Sequence, residues 1–230
     1  MNCILLFDID GTLVSRSSTG RSAGVRAMSQ AAYDMTGKPN LADGISFAGA
    51  TDLDVARQLL ELGGVTSPTD TQKNQLLEYY VNHIHQLIEE DAYVALGTPR
   101  TVIPALASLG AVIGLGTGNV RKGAECKLNN AGIADLFQFE LGGYGEDGEV
   151  RADLLRIGVK RCRPYAQTPN ASVIVVGDTP RDVEAALTIG AKCIGIPAGT
   201  ITANDLYRAG AVHVVKEISH ELIDAVKAVL

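Results

Sequence analysis

No stretch of this sequence approaches the ~20 consecutive apolar residues that a membrane-spanning helix requires, so no membrane partner is expected. No basic segment precedes the first apolar run, which meets Asp8 almost at once and reads as a strand rather than a secretory leader. Nor is there a basic stripe: the cations are scattered or in short groups such as Arg121-Lys122 and Lys160-Arg161, and the net charge is -6. Nucleic-acid binding through phosphate neutralisation is therefore not expected. The four cysteines, Cys3, Cys126, Cys162 and Cys193, form no CxxC pair and stand far apart in a chain too long to need covalent staples. They read as buried thiols of a cytoplasmic protein. His83, His85, His213 and His220 show no metal-ligand spacing, and internal repeats and low-complexity tails are missing too. What is present is ordinary globular composition, 46% hydrophobic and 20% charged over 230 residues, enough for one large domain or a domain carrying an inserted smaller one.

Four short runs rich in Ile and Val, the first three meeting Gly or Asp at their ends, read as buried strands: residues 2–7, 111–115, 172–176 and 192–196, with a weaker fifth at 212–215. Continuous apolar runs of this kind suit a parallel sheet covered on both faces. Helical stretches at 101–109, 121–131, 153–163 and 181–189 alternate with them. The alternation predicts an α/β fold, a Rossmann-like doubly wound parallel sheet.

Between residues 15 and 96 the alternation fails, because only helical patterns occur there. "TDLDVARQLLELGG" opens on a capping Thr51 and stops at Gly63-Gly64, and "QKNQLLEYYVNHIHQLIEED" sets Leu76, Leu77, Tyr80, Val81, Ile84, Leu87 and Ile88 on one face. This predicts an inserted helical cap at 15–96, joined through "VSRSSTGRS" and "VALGTPR" to a core formed by 1–14 and 97–230.

Three of the predicted strands end in chemistry. In "LLFDIDGTLV" the carboxylates of Asp8 and Asp10 project to one side, since residues two apart in a strand share a face. Their repulsion would be relieved by a divalent cation, and hard oxygens without nearby His or Cys favour magnesium. Such acids also occur as turn residues that satisfy backbone donors. "VIVVGDTPRDVEAA" delivers Asp178 at the end of another strand, with Asp182 at a helix start, where an acid also serves as a cap. If the two strands are neighbours, Asp178 joins the first pair in an all-oxygen site. "VIGLGTGN" ends at Thr117 between glycines, an arrangement suited to phosphoryl oxygens and equally to a plain strand-to-helix turn. Arg151 and Lys160 are the basic candidates between these segments, and either serves as well as an ordinary surface charge.

The motifs "DIDGT", "TGN" and "GDTPRD", in this order at three strand ends, resemble those of the haloacid dehalogenase-like hydrolase superfamily. The position of the helical insertion is similar to the C1 cap of its phosphoglycolate phosphatase and β-phosphoglucomutase branch. The resemblance implies that Asp8 is the nucleophile that becomes an aspartyl phosphate and that Asp10 is the general acid and then base. It implies Mg2+ held by Asp8, the backbone carbonyl of Asp10 and Asp178, with Asp182 in support. Thr117, Gly118 and Asn119 would bind phosphoryl oxygens. The family's basic residue is usually a lysine before a proline, which this sequence lacks; Arg151 stands in the corresponding place, with Lys160 as the alternative. Arg16, Arg21, Thr51 and Asp52 are the candidates for contacts to the leaving group from the cap, and each serves as well as a linker or helix-cap residue.

The expected activity is Mg2+-dependent hydrolysis of a small phosphorylated metabolite such as phosphoglycolate, a sugar phosphate or a nucleotide. A phosphoryl mutase shares every core residue and is the alternative. The dehalogenases of the superfamily lack the second acid that Asp10 supplies here. A phospho-aspartate receiver module is a remote third reading, since its acceptor follows a later strand and it has no long insertion. Monomer and dimer both remain open.

Overall fold

Five apolar residues in succession make β1 (Cys3–Phe7), and every one of them is buried. Alternate side chains enter opposite layers: Cys3, Leu5 and Phe7 join one apolar cluster, Ile4 and Leu6 another. A strand apolar on both faces has to lie inside a sheet with cover on each side. The computed structural model describes residues 1–16, 20–91 and 93–230, so part of the outgoing connection "VSRSSTGRS" lies outside the described residues. After β1 the elements are β2 (Val14–Arg16), α1 (Ala23–Thr36), α2 (Asp52–Leu62), α3 (Asp70–Leu87), β3 (Tyr93–Ala95), α4 (Pro99–Ser108) and β4 (Ala111–Gly116). There follow α5 (Arg121–Asn130), β5 (Gly142–Gly143), α6 (Arg151–Cys162), β6 (Ser172–Gly177), α7 (Pro180–Thr188), β7 (Lys192–Gly195), α8 (Ala203–Ala209), β8 (His213–Val214) and α9 (His220–Val229).

Six strands form one parallel sheet in the order β5-β4-β1-β6-β7-β8. Phe7 is level with Leu115 of β4 and Val176 of β6, so the three strand ends that carry the acids and the threonine lie side by side. The chain builds outward from β1 first through β4 and then through β6, which puts the reversal of strand order beside β1. Crevices at such reversals, outside the carboxyl ends of the strands, are where open α/β sheets take ligands. This is the doubly wound parallel architecture expected from the apolar runs.

Helices α1, α2 and α3 follow the first strand, as the periodicity predicts. Thr51 caps α2 by accepting from Asp54 N at 3.2 Å, and Thr69 and Gln72 form a reciprocal capping box at the start of α3. Leu76, Leu77, Tyr80 and Ile84 are buried on one face of α3, against α1 and α2. Two strands in this region were not expected: β2 and β3 pair antiparallel, with Val14 opposite Ala95 and Arg16 opposite Tyr93. Three residues carry no readable alternation, and each strand exists only because the distant other completes its ladder. The ribbon brings both ends of the helical segment together beside Asp10. Apolar packing is continuous from β1 and α4 into Ala27, Met28, Leu59 and Ile84 of the helices. Among the described residues no helix is long and apolar enough to cross a membrane.

Candidate functional site

Asp8 follows the last residue of β1, and its N–H donates to Val176 O at 2.9 Å, which ties it to β6. Gly11 turns the chain away with φ +82, and a Cβ there would lie 2.3 Å from Asp178 Oδ2. Only glycine lets the loop rest on that carboxylate. Asp178 follows β6, and one carboxylate oxygen from each of Asp8, Asp178 and Asp182 falls within 4.8 Å of the others. All three are buried. Burial pushes Asp178 up to about 9, with Asp8 and Asp182 adding to the rise. Asp8 is pushed up to about 6 by burial, with Arg151 pulling it down and Asp182 and Asp10 pushing it up.

Arg151 opens α6 and answers these charges. Its Nη2 lies 2.9 Å from Asp8 Oδ1 and 2.6 Å from Asp182 Oδ1. Lys160 is exposed farther along the same helix and makes none of these contacts. Asp182 Oδ2 accepts from Thr179 N at 3.0 Å and Thr179 Oγ1 at 2.6 Å, in the capping box of α7. One aspartate thus caps a helix with one oxygen and holds Arg151 with the other.

Asp10 points elsewhere. Its Oδ2 accepts from Asn119 Nδ2 at 2.8 Å and from Lys127 Nζ at 2.7 Å. Burial alone would raise Asp10, but the charge and hydrogen bond of Lys127, with Asn119, bring it below the usual carboxylate range. Lys127 is itself buried, donates to Asn119 Oδ1 at 2.6 Å and stands 5.9 Å from the Tyr93 ring centroid. Thr117 is fully buried, and its Oγ1 accepts from Asn119 Nδ2 at 2.8 Å. Lys127 was not among the residues expected from the sequence. The signal was there: α5 buries Ala124, Lys127 and Leu128 on one stripe, and a lysine on an apolar stripe needs a buried partner.

A cavity of about 630 Å³ lies over Asp8, Asp10 and Arg151, closed from above by α1, α3 and the segment before α2. Of the four residues expected to reach in, Arg16 and Asp52 line it. Thr51 caps α2 and donates to Glu149 O at 2.9 Å, and Arg21 pairs with Asp43 on the surface. The covering segment is tied down at several points: Asp52 N–H donates to Gly118 O at 2.7 Å, Arg181 Nη1 to Ala48 O at 2.9 Å, and Arg151 Nη1 to Gly49 O at 3.4 Å. Ala50 O approaches so closely that a Cβ on Gly118 would sit 2.0 Å from it.

The acidic group suits a hard divalent cation such as Mg2+, because every donor is a carboxylate oxygen and Asp178 Oδ1 is buried with no hydrogen-bond partner. The carboxylate of Asp10 stands outside the group, beside Lys127, and both oxygens of Asp182 are already engaged.

Fold and site together define an α/β protein with aspartates gathered at the carboxyl ends of a parallel sheet. The sequence pattern of the haloacid dehalogenase-like hydrolases matches residues 4–190. This chain belongs to that family. Similar solved structures include a hydrolase from Pseudomonas syringae, 21% identical with TM-score 0.65 and 99% of each chain covered. A predicted phosphatase from Clostridium acetobutylicum is 17% identical with TM-score 0.66, again over 99% of each chain. The β-phosphoglucomutase of Clostridium difficile is 18% identical with TM-score 0.64, over 98% of this chain and 96% of that one. A search of curated proteins finds no match.

Proposed function

We propose that this protein is a Mg2+-dependent phosphatase that hydrolyses small phosphomonoesters through an aspartyl phosphate on Asp8. The observation that carries the reading is Arg151 Nη2 placed between Asp8 Oδ1 and Asp182 Oδ1 in a buried pocket that opens on the cavity. A nucleophilic carboxylate has to meet an anionic phosphoryl group, and this cation offsets the repulsion. Asp8 attacks phosphorus in line while the leaving oxygen takes a proton from Asp10, which is ionised at rest beside Lys127 and takes that proton up from the entering phosphomonoester monoanion. Asp10 then takes a proton from the water that cleaves the acyl phosphate. Asn119 and Lys127 hold Asp10 for both transfers. The backbone around Gly118 and Asn119 and the hydroxyl proton of Thr117, whose oxygen only accepts here, serve the phosphoryl oxygens. Asp8, Asp178 and the backbone carbonyl of Asp10 would hold Mg2+, with Asp182 supporting through Arg151. Bound there, the ion neutralises phosphoryl charge.

Residues 15–96 act as a cap over a core of 1–14 and 97–230, with β2 and β3 as the hinge. Closure excludes bulk water and supplies contacts to the leaving group. The test is release of inorganic phosphate from a panel of phosphorylated metabolites with Mg2+, its loss with chelator, and its loss in Asp8→Asn. Turnover by Asp8→Asn overturns the nucleophile assignment, and isomerised product without free phosphate identifies a mutase instead.

A further inference from the structure

Asp52, Tyr80 and Lys127 line the cavity near one another. Asp52 opens α2, yet two bonds fix it to the loop after β4: its N–H donates to Gly118 O at 2.7 Å and its Oδ2 accepts from Val120 N at 2.8 Å. Its Oδ1 accepts from none of the described residues. Tyr80 is 1% exposed, and among the described residues its hydroxyl has neither donor nor acceptor, although it lines the cavity. Lys127 is committed to Asp10 and Asn119. This side of the cavity carries two cations, Arg16 and Lys127, against two carboxylates, Asp10 and Asp52. An entering leaving group therefore meets one fixed carboxylate oxygen that no donor of the described residues satisfies and one phenol free to donate or accept. Desolvation pushes Asp52 up to about 7, against the pull of Lys127 and the Val120 N–H, as befits a carboxylate short of donors. Val25, Met28 and Phe47 supply apolar surface for a carbon skeleton.

We propose that Asp52 is a specificity-determining residue whose free oxygen accepts a hydroxyl of the leaving group. The substrates are then phosphomonoesters of neutral, hydroxyl-bearing alcohols, and leaving groups that carry a carboxylate are disfavoured. The inference rests on the phosphatase reading above. A carboxylate brings no donor to Asp52 Oδ1 and adds like-charge repulsion, whereas a hydroxyl satisfies the acceptor directly. Discrimination is strong where a buried polar group is left unpaired by the wrong substrate.

The test compares kcat/KM for ribitol phosphate and glycerol phosphate with that for phosphoglycolate, in the wild type and in Asp52→Asn. In the variant the side-chain amide oxygen keeps the Val120 bond while the NH2 group faces the cavity, so an acceptor becomes a donor. The wild type is expected to favour the polyol phosphates at least roughly tenfold, and the substitution to shift the ratio toward phosphoglycolate by roughly 10- to 100-fold. A wild-type preference for phosphoglycolate, or an Asp52→Asn effect equal on all three compounds, overturns the proposal. Should the variant fail to fold, the wild-type ratio decides. Release of no phosphate from any compound overturns the phosphatase reading and this one with it, whereas release without the preference overturns this one alone.

Discussion

Arg151 joins two buried carboxylates through a single nitrogen, Nη2, which also lies 3.5 Å from Gly116 O, while Nη1 reaches Gly49 O at 3.4 Å. A lysine at this position keeps the charge and loses the fork. Arg151→Lys is therefore expected to lower kcat/KM for phosphate release by roughly 10- to 100-fold. Arg151→Ala leaves Asp8 and Asp182 uncompensated and should cost about 3–5 kcal/mol of folding stability, read by urea denaturation. Lys160→Ala should leave kcat/KM within about twofold and stability within about 0.5 kcal/mol of wild type, as surface substitutions do; a larger loss of activity would make Lys160 the basic residue of the site. At this scale the sequence was uneven as a guide. Asp8, Asp10 and Asp178 stand out because acids abruptly end apolar strands, a pattern visible without any knowledge of the fold. Lys127 meets Asp10 only after β4 has been laid beside β1, and helix α5 offers no local sign of that neighbour beyond the misplaced charge.

Among the elements, the loop before α6 reaches two of the covering helices at once. Glu149 places Oε1 2.6 Å from Lys73 Nζ on α3 and Oε2 3.1 Å from Arg57 Nε on α2, two residues before Arg151. Since Glu149 and Arg57 are partly open to water, the contribution is modest and falls with salt. Glu149→Gln should raise KM severalfold with little change in kcat, and KM, expected to rise with ionic strength in the wild type, should rise less in the variant. Equal salt sensitivity in both proteins would remove Glu149 as a closure contact. The helices of this region announced themselves through Thr51, Gly63-Gly64 and the apolar stripe of α3. The β2–β3 ribbon did not, because its stability is entirely a property of the pair.

For the molecule as a whole, the raised carboxyls of Asp8 and Asp178 tie stability to pH, and the proposed Mg2+ would tie it to the ion as well. Asp178, at about 9, and Asp8, at about 6, hold protons in the folded state that the unfolded chain releases near the ordinary value of 3.8. Their contribution is fully present below that value, falls as pH rises, and is gone once pH passes about 6 for Asp8 and about 9 for Asp178. A cation that takes the place of those protons offsets the loss. Melting temperatures of the metal-free protein should therefore fall between about pH 5 and pH 9, and the increment from added Mg2+ should grow over the same interval. An increment independent of pH would separate the ion from these acids. The order of synthesis brings a further consequence of the sheet. Leu5 pairs with Ile113 on one side and Ile174 on the other, so the apolar strand that ends at the nucleophile is made long before either neighbour exists. Contacts so distant along the chain close slowly, and an unpaired apolar strand invites association with other chains meanwhile. The strand at the centre of the finished protein is among the last to be secured, and its neighbours' arrival is the step at which a nascent chain most needs protection.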